Sequence, residues 1–85
     1  MLYIYGNSQC IWCERAKSLC ELWGLRYEYR NIDEDRHYND LKVRMQDIDR
    51  KTIPQIWDHD DNHIGGYEDL KAKVKEEGNG KVLSL

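Results

Sequence analysis

The chain has 85 residues, and 13 lysines and arginines against 16 aspartates and glutamates give it a formal net charge of −3. This length suits one domain with a small core. The mildly acidic balance argues against nucleic acid or an anionic membrane as the main partner, since both select for basic patches. No apolar run is long enough to span a membrane, and the first residues lack the pattern of a signal peptide. Three cysteines are too few for a disulfide framework, so we expect the reducing cytoplasm as the setting. We also expect a monomer.

The first half of the chain predicts a strand, a helix and a second strand. Residues 2–5 form a short apolar-aromatic run, as in a central strand. Apolar residues then recur at spacings of three and four over 13–23, which predicts a helix that Gly24 ends. Residues 26–32 alternate polar with aromatic side chains, as a half-buried strand does.

The second half predicts a helix, a hairpin and a last helix. Asp33 is predicted to cap a helix that runs to about Met45. Residues 54–64 read as a hairpin that is entered through the chain's one proline. The last helix is expected from Tyr67 to about Glu77, where Gly78-Asn79-Gly80 stops it.

The resulting element order is β-α-β-α-β-β-α. It predicts an α/β fold with a four-stranded mixed sheet and helices on both faces. We expect one domain over residues 1–85, with its core in 2–77 and a C-terminal tail at 78–85.

Cys10 and Cys13 are the residues that indicate a reaction, and they lie at the predicted junction between the first strand and the first helix. A thiolate is the nucleophile of disulfide exchange, and the free N–H groups and positive dipole of a helix start favour that anion. The pKa of a cysteine thiol is ordinarily about 8.5 and can fall to roughly 3.5–7.5 in such a position. The second cysteine lies one turn along, close enough to attack a mixed disulfide. The pattern predicts dithiol–disulfide exchange rather than two core thiols.

A zinc site is the competing interpretation, because His59 and His63 have the spacing of zinc ligands. The stretch between Cys13 and His59 is, however, far longer than the roughly 12–15 residues of the common pattern. Both histidines also fall in or beside a predicted hairpin loop. We expect surface histidines and no metal site.

Two further residues near the pair have separate interpretations. Cys20 lies about 10 Å along the helix axis from Cys13, too far for a disulfide, which needs Cα atoms within roughly 7 Å. Cys20 is therefore predicted to be a buried core thiol. Trp12 is either a packing residue or an exposed docking surface beside the nucleophile, and turn side chains at such sites favour the surface.

Three motifs in order resemble the glutaredoxins of the thioredoxin-fold superfamily, in particular the short bacterial and phage-type dithiol members. The resemblance spans residues 2–77. The motifs are Cys10-Ile11-Trp12-Cys13, Thr52-Ile53-Pro54-Gln55 and Gly65-Gly66-Tyr67-Glu68-Asp69-Leu70. The family patterns are C-P-Y-C, T-V-P-Q and G-G-x-D-D-L. The resemblance implies a thioredoxin fold and a glutathione-dependent dithiol–disulfide oxidoreductase.

The resemblance also implies a role for each matching residue. Cys10 matches the nucleophile and Cys13 the resolving cysteine. Pro54 matches a cis-proline, and Thr52 and Ile53 lie beside it, where the Ile53 backbone would pair with the cysteinyl part of glutathione. Glutathione is then a co-substrate, no cofactor is tightly bound, and ribonucleotide reductase is the protein target that the family suggests.

Other residues match the family positions that bind the two ends of glutathione. Arg50 matches a basic position that meets the glycyl carboxylate. The run Gly66-Tyr67-Glu68-Asp69 matches the turn that holds the γ-glutamyl end, with N–H groups for its carboxylate and an acidic side chain for its ammonium group.

The sequence departs from the family pattern at three positions. Ile11 stands where proline is usual, Trp12 where tyrosine is usual, and Asn7 where many members carry a basic residue. Two other functions therefore stay open. One is an iron–sulfur or zinc-binding module, because cluster-bearing relatives mostly lack that proline, and the other is a thioredoxin-like protein served by a thioredoxin reductase.

Overall fold

In a computed structural model, which describes residues 1–49 and 51–83, the elements follow the predicted order. The strands and helices are β1 Leu2–Gly6, α1 Ile11–Leu22, β2 Tyr27–Asn31, α2 Asp35–Arg44, β3 Gln55–Trp57, β4 His63–Gly65 and α3 Tyr67–Leu83.

The four strands form one mixed sheet in the order β2-β1-β3-β4. Strands β1 and β2 are parallel, with Leu2 opposite Tyr27 and Gly6 opposite Asn31. Strand β3 runs antiparallel to both β1 and β4. The predicted β-α-β unit and hairpin are confirmed, and β1 lies at the centre of the sheet.

The sheet carries helices on both faces, as predicted. Successive residues of a strand point to opposite faces, so the neighbours Ile4 and Tyr5 enter two different clusters. Helices α1 and α3 cover one face and α2 covers the other. The first cluster consists of Ile4, Ala16, Cys20, Ile56, Leu70 and Val74. The second consists of Tyr5, Leu41, Met45 and Trp57.

Helix α2 begins later than its sequence predicts. The predicted cap, Asp33, lies outside the helix, and the N-cap position is Glu34, whose side chain makes no capping hydrogen bond. The side chain of Asn31 accepts a hydrogen bond from the N–H of Asp33 at 2.9 Å. This bond places Asp33 in a local turn at the end of β2, so the N-cap lies one residue later than predicted, at Glu34.

Helix α3 continues past its predicted end. The run Gly78-Asn79-Gly80 lies inside the helix, which extends to Leu83, so the predicted stop at these residues is wrong. A glycine in a helix costs only about 1 kcal/mol relative to alanine. Each added residue of a helix already nucleated gains a backbone hydrogen bond. The glycines are therefore insufficient to end the helix.

Candidate active site

The cysteine pair lies at the junction between β1 and α1. Cys10 is the N-cap of α1 and has extended backbone angles, φ −99° and ψ 111°. The two sulfurs form a disulfide, and the Cα atoms are 5.2 Å apart. The sulfur of Cys10 accepts a hydrogen bond from the N–H of Cys13 at 3.2 Å. The N-terminal sulfur thus occupies the place that a capping oxygen usually takes, next to the free N–H groups of the helix.

The two cysteines differ in their access to solvent. Cys10 is partly exposed, whereas Cys13 is completely buried. An external sulfur can therefore approach Cys10, while Cys13 is reached only from within the protein. This asymmetry agrees with the order of roles that the sequence predicted.

Gly6 and Tyr29, which lie outside the three motifs, are close to Cys13. A Cβ on Gly6 would lie 2.5 Å from the sulfur of Cys13 and 2.7 Å from the hydroxyl of Tyr29. The Tyr29 hydroxyl donates to the carbonyl oxygen of Asn7 at 2.7 Å and so holds the loop that leads into Cys10. Burial raises the pKa of Tyr29 to about 12, with smaller contributions from nearby acidic side chains. The hydroxyl therefore keeps its proton as a donor. Only the position of Gly6 just before the cysteine loop could have indicated this role.

The second motif lies directly against the pair. The peptide bond between Ile53 and Pro54 is cis, as the resemblance implied. The sulfur of Cys10 lies 3.8 Å from the carbonyl oxygen of Ile53. The backbone of Ile53 and the N-terminal cysteine therefore share one surface.

The third motif, at the start of α3, lies next to Pro54. Gly66 donates its N–H to a carboxylate oxygen of Asp69 at 2.9 Å, so an acidic side chain caps the start of α3. Gly65 has φ +121°, and a Cβ there would overlap the Asp69 carboxylate. A Cβ on Gly66 would lie 3.5 Å from the carbonyl oxygen of Pro54. The glycines thus allow the start of α3 to approach the proline loop.

Two cavities meet at Thr52. One of about 250 Å³ lies toward α3 and is lined by Ile48, Thr52, Gln55, His63, Ile64, Gly65, Gly66 and Asp69. The other, of about 510 Å³, lies toward α2 and is lined by Ile32, Tyr38, Leu41, Lys42, Met45, Gln46, Lys51, Thr52 and Ile53. Thr52 lines both cavities, and Ile53 lines the one toward α2.

Trp12 lies on the outer side of the pair, and its side chain is 46% exposed. Its ring is 5.6 Å from the ring of Tyr67, and the guanidinium of Arg15 lies 4.6 Å from its centre. Its neighbour Ile11 is also exposed. The exposure expected for Trp12 is observed, and its use as a docking surface stays a prediction.

Three predicted residues remain. Arg50 lies outside the described residues, and Glu68 is exposed on the first turn of α3. Cys20 is a free, fully buried thiol, as predicted. Burial raises its pKa to about 11, with a smaller effect of Glu21.

Neither a metal-binding cluster nor a membrane-spanning helix is found in the part of the chain that the structure describes. Within 1–49 and 51–83, no three histidine, cysteine, aspartate or glutamate side chains are grouped so that they could hold a metal ion. No helix in these ranges is both long and apolar enough to cross a membrane.

Comparison with known proteins identifies the family. The glutaredoxin family model matches residues 1–64. Glutaredoxin 1 of Escherichia coli is 36% identical in an alignment 84 positions long, and the match covers 86% of this chain and 91% of that protein. Glutaredoxin 3 of Escherichia coli is 35% identical over 69 residues, which cover 81% of this chain and 80% of the relative.

Solved structures agree with these matches. Reduced Escherichia coli glutaredoxin superposes with a TM-score of 0.72 at 37% identity, covering 88% of this chain and 93% of that one. A buckwheat glutaredoxin in complex with glutathione gives a TM-score of 0.75 at 23% identity, covering 89% and 69%. With its Cys10–Cys13 pair at the start of α1 and its four-stranded thioredoxin-type sheet, this chain belongs to the glutaredoxin family of thiol–disulfide oxidoreductases.

Proposed function

We propose that the chain is a glutathione-dependent oxidoreductase that reduces protein disulfides and glutathione mixed disulfides, with Cys10 as nucleophile and Cys13 as resolving cysteine. The main support is the 3.8 Å distance between the sulfur of Cys10 and the carbonyl oxygen of Ile53. In this proposal the Cys10 sulfur is the reactive one, and the backbone beside it holds the cysteinyl part of glutathione.

The assignment of the nucleophile follows from position. Cys10 caps α1, where helix N–H groups and the helix dipole stabilise a thiolate. The N–H of Cys13 already points at its sulfur. Cys13 is buried and becomes reactive only toward a sulfur bonded to Cys10.

In the reductive half-reaction, the Cys10 thiolate attacks one sulfur of a target disulfide. The target's other sulfur leaves as a thiolate and takes a proton, and a mixed disulfide joins Cys10 to the target. Cys13 loses its proton and attacks the Cys10 sulfur, which expels the second target thiol and forms the Cys10–Cys13 disulfide.

Two glutathione molecules restore the dithiol. The first glutathione thiolate attacks Cys10, breaks the protein disulfide and releases Cys13, which takes a proton. The second attacks the glutathione sulfur bound to Cys10, so glutathione disulfide leaves together with the Cys10 thiolate. Two electrons pass from two glutathiones to the protein, and glutathione acts as co-substrate without a tightly bound cofactor.

We place glutathione as an extended peptide along residues 52–54. Its cysteinyl backbone pairs with Ile53, as in strand addition, and Thr52 and Pro54 border it. Its γ-glutamyl end lies at Gly66-Tyr67-Glu68-Asp69, where the start of α3 offers N–H groups and acidic side chains. Arg50 meets the glycyl carboxylate. The buckwheat glutaredoxin, which shares this fold, was solved as a complex with glutathione, and this supports the same class of ligand.

The protein targets and the cellular setting are part of the proposal and rest on the family resemblance. Disulfide-containing proteins are the targets, with ribonucleotide reductase as our first candidate. We propose that the protein works as a monomer in the cytoplasm, where reduced glutathione is abundant enough to act as donor.

A coupled assay with a single electron donor tests the proposal. Reduced glutathione with glutathione reductase is expected to sustain reduction of a glutathionylated peptide and of a protein disulfide. A Cys10→Ser variant is the matched control and is expected to have no activity on either. Efficient turnover by a thioredoxin reductase, with none by glutathione, would overturn the proposal in favour of a thioredoxin-like protein.

A further inference from the structure

Three groups beside Pro54 form a chain of hydrogen bonds: the His63 imidazole, the Gln55 amide and the Thr52 carbonyl. Gln55 is buried, with only 3% of its surface exposed. Its side-chain Nε2 donates to the carbonyl oxygen of Thr52 at 2.8 Å. Its Oε1 lies 2.7 Å from Nε2 of His63 on the neighbouring strand β4.

The direction of each bond follows from the donors available. The Thr52 carbonyl only accepts, so the amide nitrogen of Gln55 must face it and the amide oxygen must face His63. That oxygen also only accepts, so His63 Nε2 carries the hydrogen. The chain therefore runs from His63 through Gln55 to Thr52.

The Thr52 carbonyl and the Ile53 N–H belong to the same peptide unit. In a trans peptide the C=O and the N–H point in opposite directions in one plane. A hydrogen bond that fixes the Thr52 carbonyl toward Gln55 therefore also fixes the direction of the Ile53 N–H, away from Gln55. Ile53 lies beside the Cys10 sulfur, and its N–H is the donor that the proposed function assigns to glutathione.

We propose that His63 is a positioning residue for glutathione, which acts through Gln55 and the Thr52 carbonyl to hold the Ile53 N–H in its binding orientation. This inference rests on the proposed function. Hydrogen bonds in a chain polarise one another, so the terminal donor affects the far end. The Trp57 ring, 4.7 Å from the imidazole, holds His63 in place.

A purely structural role for His63 predicts different behaviour, because its ring also packs against Trp57. His63→Phe keeps a ring on Trp57 and removes the donor. His63→Gln removes the ring and keeps an amide N–H close to the position of Nε2. The two variants therefore separate hydrogen bonding from packing. His59→Gln is the matched control, since His59 is an exposed histidine in the hairpin turn.

Steady-state kinetics with a glutathionylated peptide, with glutathione as donor, measure the effect. His63→Phe is expected to raise the KM for the peptide about three- to tenfold, the range that one hydrogen bond supplies, with kcat close to the wild-type value. His63→Gln is expected to recover most of the wild-type KM, and His59→Gln to leave it unchanged. Nitrogen-15 NMR, at a pH where the His63 imidazole is uncharged, is expected to show its proton on Nε2.

The outcomes separate the two proposals. If glutathione does not turn over the wild-type protein, the proposed function fails and this inference falls with it. If glutathione turns over the wild type but His63→Phe keeps the wild-type KM, only the positioning role is overturned. Equal increases in KM for His63→Phe and His63→Gln, or a neutral His63 protonated at Nδ1, would overturn it as well.

Discussion

Gly6 and Cys13 are in such close contact that a Cβ on Gly6 would lie 2.5 Å from the cysteine sulfur. The buried sulfur of Cys13 therefore leaves no room for a side chain on the last residue of β1. This contact links β1 to the start of α1 more tightly than the intervening loop alone would.

Gly6→Ala is therefore expected to destabilise the protein by about 1–3 kcal/mol, because the added methyl group displaces buried atoms. Urea unfolding of the oxidised protein measures the loss. Gly24→Asn is the control, since Gly24 has φ +69° and a Cβ placed on it would have no atom within 4 Å, while asparagine tolerates that conformation. Equal stability of Gly6→Ala and the wild type would contradict the contact.

Replacing Cys13 by serine is expected to abolish reduction of dithiol targets and to leave deglutathionylation largely intact. The monothiol route needs only Cys10 and a second glutathione. Parallel assays with a protein disulfide and a glutathionylated peptide make the comparison, with Cys10→Ser inactive in both. Loss of both activities in Cys13→Ser would remove its assigned resolving role.

Cys20→Ala is expected to keep activity and to cost about 1–2 kcal/mol of stability. The buried thiol has a pKa raised to about 11, so in the folded, reduced protein it should resist alkylation at about pH 8, near the ordinary thiol pKa, while Cys10 reacts. Mass spectrometry of the alkylated protein before and after unfolding tests this. Reduced turnover by a stable Cys20→Ala variant would show that the thiol takes part in the chemistry.

The charge of Asp69 is expected to contribute to glutathione binding. Charged hydrogen bonds contribute roughly 1.5–3 kcal/mol, so Asp69→Ala and Arg50→Ala should each raise the KM for a glutathionylated substrate about tenfold or more. Asp69→Asn keeps an oxygen for the Gly66 N–H and removes the charge. If Asp69→Asn retains the wild-type KM, the charge of Asp69 does not contribute to glutathione binding.

Titration of His63 is expected to lower the free energy of unfolding in mild acid. Partial desolvation of the imidazole lowers its pKa below the ordinary value of 6.5, and Asp69 opposes this effect. The unfolded chain then binds more protons than the folded chain as the pH falls through about 6.5, so the free energy of unfolding decreases. NMR titration is expected to give a pKa below 6.5 for His63, and a lower one in Asp69→Asn. His63→Phe should remove this part of the pH dependence in denaturant unfolding.

Local patterns in the sequence predicted most of the fold. The periodicity of apolar residues located α1 and β2, because alternation and helical repeats depend on which side of each element is buried. An apolar run, a capping residue and the proline indicated β1, α2 and the hairpin. Element ends were less predictable. The Asn31 side chain delays the start of α2, and α3 continues through Gly78-Asn79-Gly80, so hydrogen bonds and helix propagation prevailed over the simple capping signals.

By itself, the sequence determined the α/β order of elements, the pairing of Cys10 with Cys13 at a helix start, and the family, because these depend on residues close together along the chain. Only the tertiary structure placed Ile53 against the Cys10 sulfur, Gly6 against Cys13, and His63 in the hydrogen-bond chain to Thr52. Those contacts join residues of different strands and loops. Their distances depend on sheet register and on the approach of backbones, which a linear pattern does not contain.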